Sequence, residues 1–138
     1  MKRLLAMAAL LLALPWQAAF AETQIFGRYE VYYSIFASDF LRPEIARAYG
    51  IVRANDRAVL NVAVRRREPD GSSVPIKAAV EGTQSDLIYT LDLALREVVE
   101  EGAIYYLAQF PFRNDETYYF KVRIRPEGDT SKIGRAHV

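Results

Sequence analysis

Apolar and polar residues alternate with period two along most of this chain. Tyr29, Val31, Tyr33 and Ile35 alternate with Arg28, Glu30, Tyr32 and Ser34, the signature of a strand with one buried face. The same alternation predicts a second strand at Leu60, Val62 and Val64, a third over Ile76–Glu81, and a fourth at Leu91, Leu93 and Leu95. A fifth over Ala103–Phe110 is nearly apolar on both faces and so reads as central, and a sixth carries Tyr118, Phe120, Val122 and Ile124 inward. Turns separate them at Asn55-Asp56, at Glu68-Pro69-Asp70-Gly71-Ser72-Ser73, at Glu100-Glu101-Gly102 and at Arg113-Asn114-Asp115-Glu116. One short helix is predicted over Pro43–Tyr49. Pro43 suits the first helical position, Glu44 the positive end of the dipole, and Gly50 the left-handed stop. Many short strands, frequent turns and a single minor helix predict an all-β, antiparallel β-sandwich and argue against a parallel α/β sheet.

The first 21 residues follow a different pattern. Lys2-Arg3 precede an unbroken apolar run from Leu4 to Leu14, and Ala19-Phe20-Ala21 close it with small residues at both ends. Charge, run length and closing residues are those of an export signal cleaved after Ala21, and the run is too short for a membrane-spanning helix of ~20 residues. The expectation is a domain over 22–131 exported to a bacterial periplasm. Ile133–Val138 match one reading frame of a common sequencing adapter, so 132–138 is expected to be a non-native tail. Pro126-Glu127-Gly128-Asp129 would then turn toward a final strand that is missing.

Composition narrows the chemistry. Without Lys2 and Arg3 the chain has 16 basic and 17 acidic residues, which argues against a nucleic-acid binder. There is no Cys, and so no disulfide, thiolate nucleophile, zinc–thiolate site, iron–sulfur cluster or lipid-anchoring thiol. The only His, His137, lies in the expected tail, which removes the usual partner for a nucleophilic Ser. Neither a dinucleotide fingerprint nor a phosphate loop is present, and no cofactor or metal is expected. A pair of carboxylates could still perform glycoside hydrolysis, but Glu30, Asp39, Glu44 and Asp92 are scattered along the chain.

Aromatic and basic residues supply the candidate binding surface. Tyr occurs in three doublets, Tyr32-Tyr33, Tyr105-Tyr106 and Tyr118-Tyr119. Strand neighbours face opposite sides, so one of each pair is expected outward, Tyr119 most clearly. If Tyr32, Tyr119 and one of Tyr105 or Tyr106 adjoin, they form an amphipathic platform for a sugar or a peptide. The outward face of the sixth strand also carries Lys121, Arg123 and Arg125. Were it next to Arg65-Arg66-Arg67, a basic strip for an anionic partner would result. A solvated, charge-paired sheet face accounts for the same residues without any ligand.

Three segments resemble the DUF4426 family of small exported proteobacterial proteins: Phe26-Gly27-Arg28-Tyr29-Glu30-Val31, Phe40 to Ile51, and Glu101-Gly102-Ala103-Ile104-Tyr105-Tyr106-Leu107-Ala108. The resemblance covers about residues 24–131. It implies a periplasmic sandwich of immunoglobulin-like type with one more strand beyond Gly128, and it carries no catalytic or binding residue. The function expected is a non-catalytic periplasmic binding or scaffolding module for an envelope protein. The alternatives are a carbohydrate or cell-wall binder using surface Tyr, and a carboxylate-dependent hydrolase.

Overall fold

The computed structural model describes residues 20–128 and 133–137, and the side chains of 22–128. Most of the expected leader, residues 1–19, lies outside the described residues. In chain order the strands are β1 (Phe20–Phe26), β2 (Tyr29–Ala37), β3 (Arg57–Arg67), β4 (Ser73–Pro75), β5 (Ala78–Ser85), β6 (Thr90–Leu93), β7 (Arg96–Glu100), β8 (Ala103–Pro111), β9 (Tyr119–Pro126) and β10 (Ile133–His137). Between β2 and β3 lie a 3-10 turn, Ser38–Phe40, and one helix, α1 (Pro43–Tyr49). The strands form two sheets. The first runs β1-β2-β3-β8-β7 with β4 paired to β3, and the second runs β10-β9-β5-β6. Every described pairing is antiparallel.

The sheets stack through the inward faces that the alternation marks. Val31, Tyr33, Leu60, Val62, Val64, Tyr106 and Phe110 of the first sheet share one core with Leu93, Phe120, Val122 and Ile124 of the second. Phe110 meets Phe120 edge to face across the gap, with ring centroids 5.0 Å apart. Two polar contacts also cross it. The buried Tyr106 phenol accepts the Ala78 N–H (2.8 Å) at the start of β5 and donates to Glu97. At the other end of β5 the buried Gln84 donates to the Pro111 carbonyl (2.9 Å).

Three elements differ from the sequence reading. The expected third strand, Ile76–Glu81, begins two residues later, at Ala78, and runs on to Ser85, because the chain changes sheets at Ile76-Lys77. Ile76 N–H still bonds Val64 O in the first sheet, whereas Ala78 onward pairs with β9. The expected fourth strand likewise ends at Leu93, and the chain returns to the first sheet as β7. β1 was not anticipated. Its middle, Glu22-Thr23-Gln24, is polar because it is an edge strand held by its ladder to β2. The expected cleavage point after Ala21 falls within its first residues. At the other end the backbone of β10, inside the expected tail, pairs with β9 and occupies the edge where the sequence predicts a missing final strand.

The helix forms as its residues dictate. Pro43 opens it, and Gly50 closes it at φ 66° while its N–H bonds the Arg47 carbonyl. Ala46 and Ile51 pack on Val59 and Leu107, on the side of the first sheet away from the second. The whole excursion is fastened by Ser38. Its fully buried hydroxyl donates to Ala54 O (3.0 Å) and accepts the Ala54 N–H (2.9 Å).

Tyr106→Phe removes the one phenol that bonds both β5 and β7. It is expected to lower the unfolding free energy by about 1–2 kcal/mol in urea titration, because the half-buried Ala78 N–H loses its acceptor. An unchanged midpoint would show that this bond contributes nothing to joining the sheets.

Candidate ligand-binding groove

The outward face of the first sheet can be read from its registers. Tyr32 lies opposite Ala63, Ser34 opposite Asn61, and Glu30 opposite Arg65. On the other side of β3, Asn61 lies opposite Leu107. The β3–β8 ladder stops at Val62 and Tyr106, and β4 takes over as the partner of Arg65–Arg67. β8 therefore leaves β3 at a fork, one step before Tyr105 would lie beside Ala63. The helix covers Val59 and Leu107. Beyond it, at the fork, the face is open and forms a groove of about 570 Å³ lined by Tyr32, Ser34, Asn61, Ala63, Arg65, Pro75 and Tyr105 among others.

Its walls are fixed by their neighbours. Tyr32 donates to the Glu30 carboxylate (2.5 Å), which also accepts from Arg67 (3.1 and 3.2 Å). The Tyr105 ring packs against the apolar cluster under the helix. At the far end Arg65 is spent on Ser73, donating to its hydroxyl (2.9 Å) and its carbonyl (2.8 Å). The Tyr32 bond and then Arg67 hold the Glu30 carboxyl below its ordinary value, and the same bond raises the Tyr32 phenol. Burial first, and then the bond to Glu22, raises Tyr33, which also borders the groove. Near neutrality the phenols are therefore protonated and Glu30 is ionised. On the floor, Asn61 Oδ1 is buried with no hydrogen-bond partner among the described residues.

The sequence-predicted residues divide between two surfaces. Each Tyr doublet does split across its strand. Tyr33 and Tyr106 are buried and Tyr118 packs against the core, whereas Tyr32, Tyr105 and Tyr119 face outward. Tyr32 and Tyr105 share the groove, but Tyr119, 51% exposed, stands on the second sheet with Lys121, Arg123 and Arg125. A single platform of Tyr32, Tyr119, Lys121, Arg123 and Arg125 is thus not formed, because the core lies between its halves. No carboxylate of the described residues is within ion-pair distance of those three cations. Lys121 and Arg123 border a polar hollow of about 800 Å³ with Glu81 and Asp92. Nor does a strip with Arg65-Arg66-Arg67 arise, since β3 and β9 belong to different sheets. Arg66 pairs with Glu68 and Arg67 with Glu30 instead.

The four candidate carboxylates are dispersed. Glu30 is on β2, Asp39 in the 3-10 turn, Glu44 in the first turn of α1 and Asp92 on β6 of the other sheet. Among the described residues no group of three His, Cys, Asp or Glu could hold a metal ion. The sequence reading missed Asn61 and Ala63 as site residues. The available signal was an amide at the centre of a strand whose flanking positions, Val59, Leu60, Val62 and Ala63, are all apolar.

The Glu30 pairing gives a pH signature. A carboxyl with a lowered folded pKa contributes stability above its ordinary value of 4.5, and that contribution is lost as pH falls through the folded value. Wild type is expected to melt above Glu30→Gln at pH 7 and to lose this advantage progressively as pH falls below 4.5, where calorimetry would show the two curves converging. A gap that stays the same size would mean that the charge is not what Glu30 contributes.

Comparison with known proteins places this geometry in a family. The family model described as Domain of unknown function (DUF4426) matches residues 23–134. No curated protein matches the chain. A crystal structure of a DUF4426 family protein from Pseudomonas aeruginosa PAO1 is 36% identical, with a TM-score of 0.69, over 86% of this chain and 94% of that one. A copper-bound variant of FetP from uropathogenic Escherichia coli shares the fold at 13% identity and a TM-score of 0.56, over 88% of this chain and 93% of that one. From the family match and the Pseudomonas relative together, the chain belongs to the DUF4426 family.

Proposed function

We propose that this chain is an exported, non-catalytic binding module of the bacterial periplasm whose ligand lies in the groove of the first sheet. The observation that carries the reading is the groove floor. Asn61 sets a buried, unpartnered acceptor two residues along β3 from Ala63, which lies between the two tyrosines, and a polar group left unpaired costs a fold about 1–3 kcal/mol. Such a cost is sustained where the group serves something other than folding. Export is supported by the Lys2-Arg3, Leu4–Leu14 and Ala19-Phe20-Ala21 pattern. The non-catalytic reading is supported by the dispersed carboxylates and by phenols held in their protonated form.

The copper of the FetP variant does not carry over by chemistry. The chain has no Cys, and Met1, Met7 and His137 all lie outside residues 22–128, so that span offers none of the soft sulfur or imidazole donors that copper prefers. A second reading has one observation in its favour. The row Lys121, Arg123 and Arg125 suits an acidic protein surface in the envelope, and a scaffolding contact would use that face.

A thermal-shift assay with the low-molecular-weight fraction of an envelope extract tests the first reading. A ligand at about 100 times its Kd adds about 2.7 kcal/mol, which raises Tm on the order of 10 °C. The shift is expected in wild type and in Tyr119→Ala, and it is expected to vanish in the Tyr32→Ala/Tyr105→Ala double variant. A shift that survives the double variant but disappears in Lys121→Ala/Arg123→Ala/Arg125→Ala would move the site to the second sheet.

A further inference from the structure

We infer that the groove takes a neutral sugar ring, clamped between Tyr32 and Tyr105 with one hydroxyl on the Asn61 amide. The inference rests on the binding reading above and names its ligand class.

Four features carry it. The first is width. Tyr32 and Tyr105 stand on the strands to either side of β3, so their backbones are two strand spacings apart, roughly 9–10 Å, or slightly more at the fork. A ring touching an aromatic face on each side needs two van der Waals contacts of about 3.5–4 Å, which such a gap provides. The second is the floor. Ala63 lies between the two walls, and its methyl leaves the slot open where a larger side chain would fill it. The third is the amide. Asn61 borders the groove with its unmatched Oδ1 closed to solvent, and a half-turn of the amide exchanges donor and acceptor and turns that oxygen toward the opening. A sugar hydroxyl is donor and acceptor at once and satisfies either orientation.

The fourth feature is charge. The lining carries one cation, Arg65, committed to Ser73, and one carboxylate, Glu22, which accepts from Tyr33, so the opposite charges balance and the groove presents no net charge to a charged ligand. An extended peptide fits less well. β3 is paired with β2 on one side and with β8 and then β4 on the other, so a peptide laid across this face would find few backbone partners for its own N–H and C=O groups. A pyranose needs none of these. Its C–H faces meet the phenol rings, and its remaining hydroxyls stay in water at the open mouth.

Isothermal titration of the full chain with chitotetraose, cellotetraose and maltotetraose, with tetra-alanine as the peptide probe, tests the inference. At least one of the sugars is expected to bind. Asn61→Leu and Tyr105→Ala are each expected to weaken that sugar about tenfold or more. The ligand-free Tm of Asn61→Leu is expected to stay level or rise, because an apolar side chain of similar volume replaces an unpaired amide. A fall of several degrees in that Tm would assign Asn61 a structural role and overturn the inference. Sugar binding that survives both variants, or binding of tetra-alanine alone, would overturn it as well. If no sugar binds while the envelope fraction still stabilises the chain through Tyr32 and Tyr105, the ring assignment fails and the binding reading stands. If neither binds, both fail.

Discussion

One mismatch of lengths governs this molecule. The helix α1 has seven residues, about 10 Å, and it lies on a sheet whose central strand β3 has eleven, roughly 36 Å. In any direction, the helix shields only part of that face. Where it lies, Val59 and Leu107 are buried under Ala46 and Ile51. Where it does not, the same alternation brings Asn61, Ala63 and Arg65 to the surface, and the fork between β8 and β4 deepens the opening into a groove. The groove is what remains uncovered when a short helix closes half of a two-sided strand.

The opposite face of that strand holds the fold together. Leu60, Val62 and Val64 bury against Phe120, Val122 and Ile124 of the second sheet, while Tyr106 and Gln84 pin the two ends of β5 to the first. These polar contacts have a direction that apolar packing lacks, and they set where the chain crosses between sheets. The Ala78 N–H that meets Tyr106 is the first amide of β5 after the crossing at Ile76-Lys77. With the sheets fixed in this way, the groove opens on the outward face of the first sheet. Its walls are held locally, Tyr32 by Glu30 and Tyr105 by the helix cluster.

This separation gives Asn61 its meaning. The inward positions of β3 are filled with Val, Leu and Ala, and the covered outward position is Val59. An apolar residue at 61 would suit both neighbours and leave nothing unpaired. An amide there works against the local rule that every other buried position of the strand obeys. Departures of this kind concentrate at sites that serve recognition rather than folding.

Much of the architecture was legible in the sequence. Period-two alternation gave the inward faces of β2, β3 and β9, and Pro43 with Gly50 marked both ends of the helix, because these patterns are local consequences of backbone geometry. The splitting of each Tyr doublet followed from the same parity. Three matters were decided only in three dimensions. A period-two run does not say where a strand leaves one sheet for the other, so alternation alone neither starts β5 at Ala78 rather than Ile76 nor ends β6 at Leu93 rather than Leu95. Nor does parity say which sheet an outward residue belongs to. Tyr32 and Tyr119 are both outward, yet they stand on opposite sides of the molecule, and Tyr32 finds its partner in Tyr105 instead. Asn61 looked like one more polar residue of an alternating strand until the pairing of β2, β3 and β8 showed what surrounds it. Local chain geometry determines which way a side chain points; the long-range pairing of strands, set by the shared core, determines what it points at.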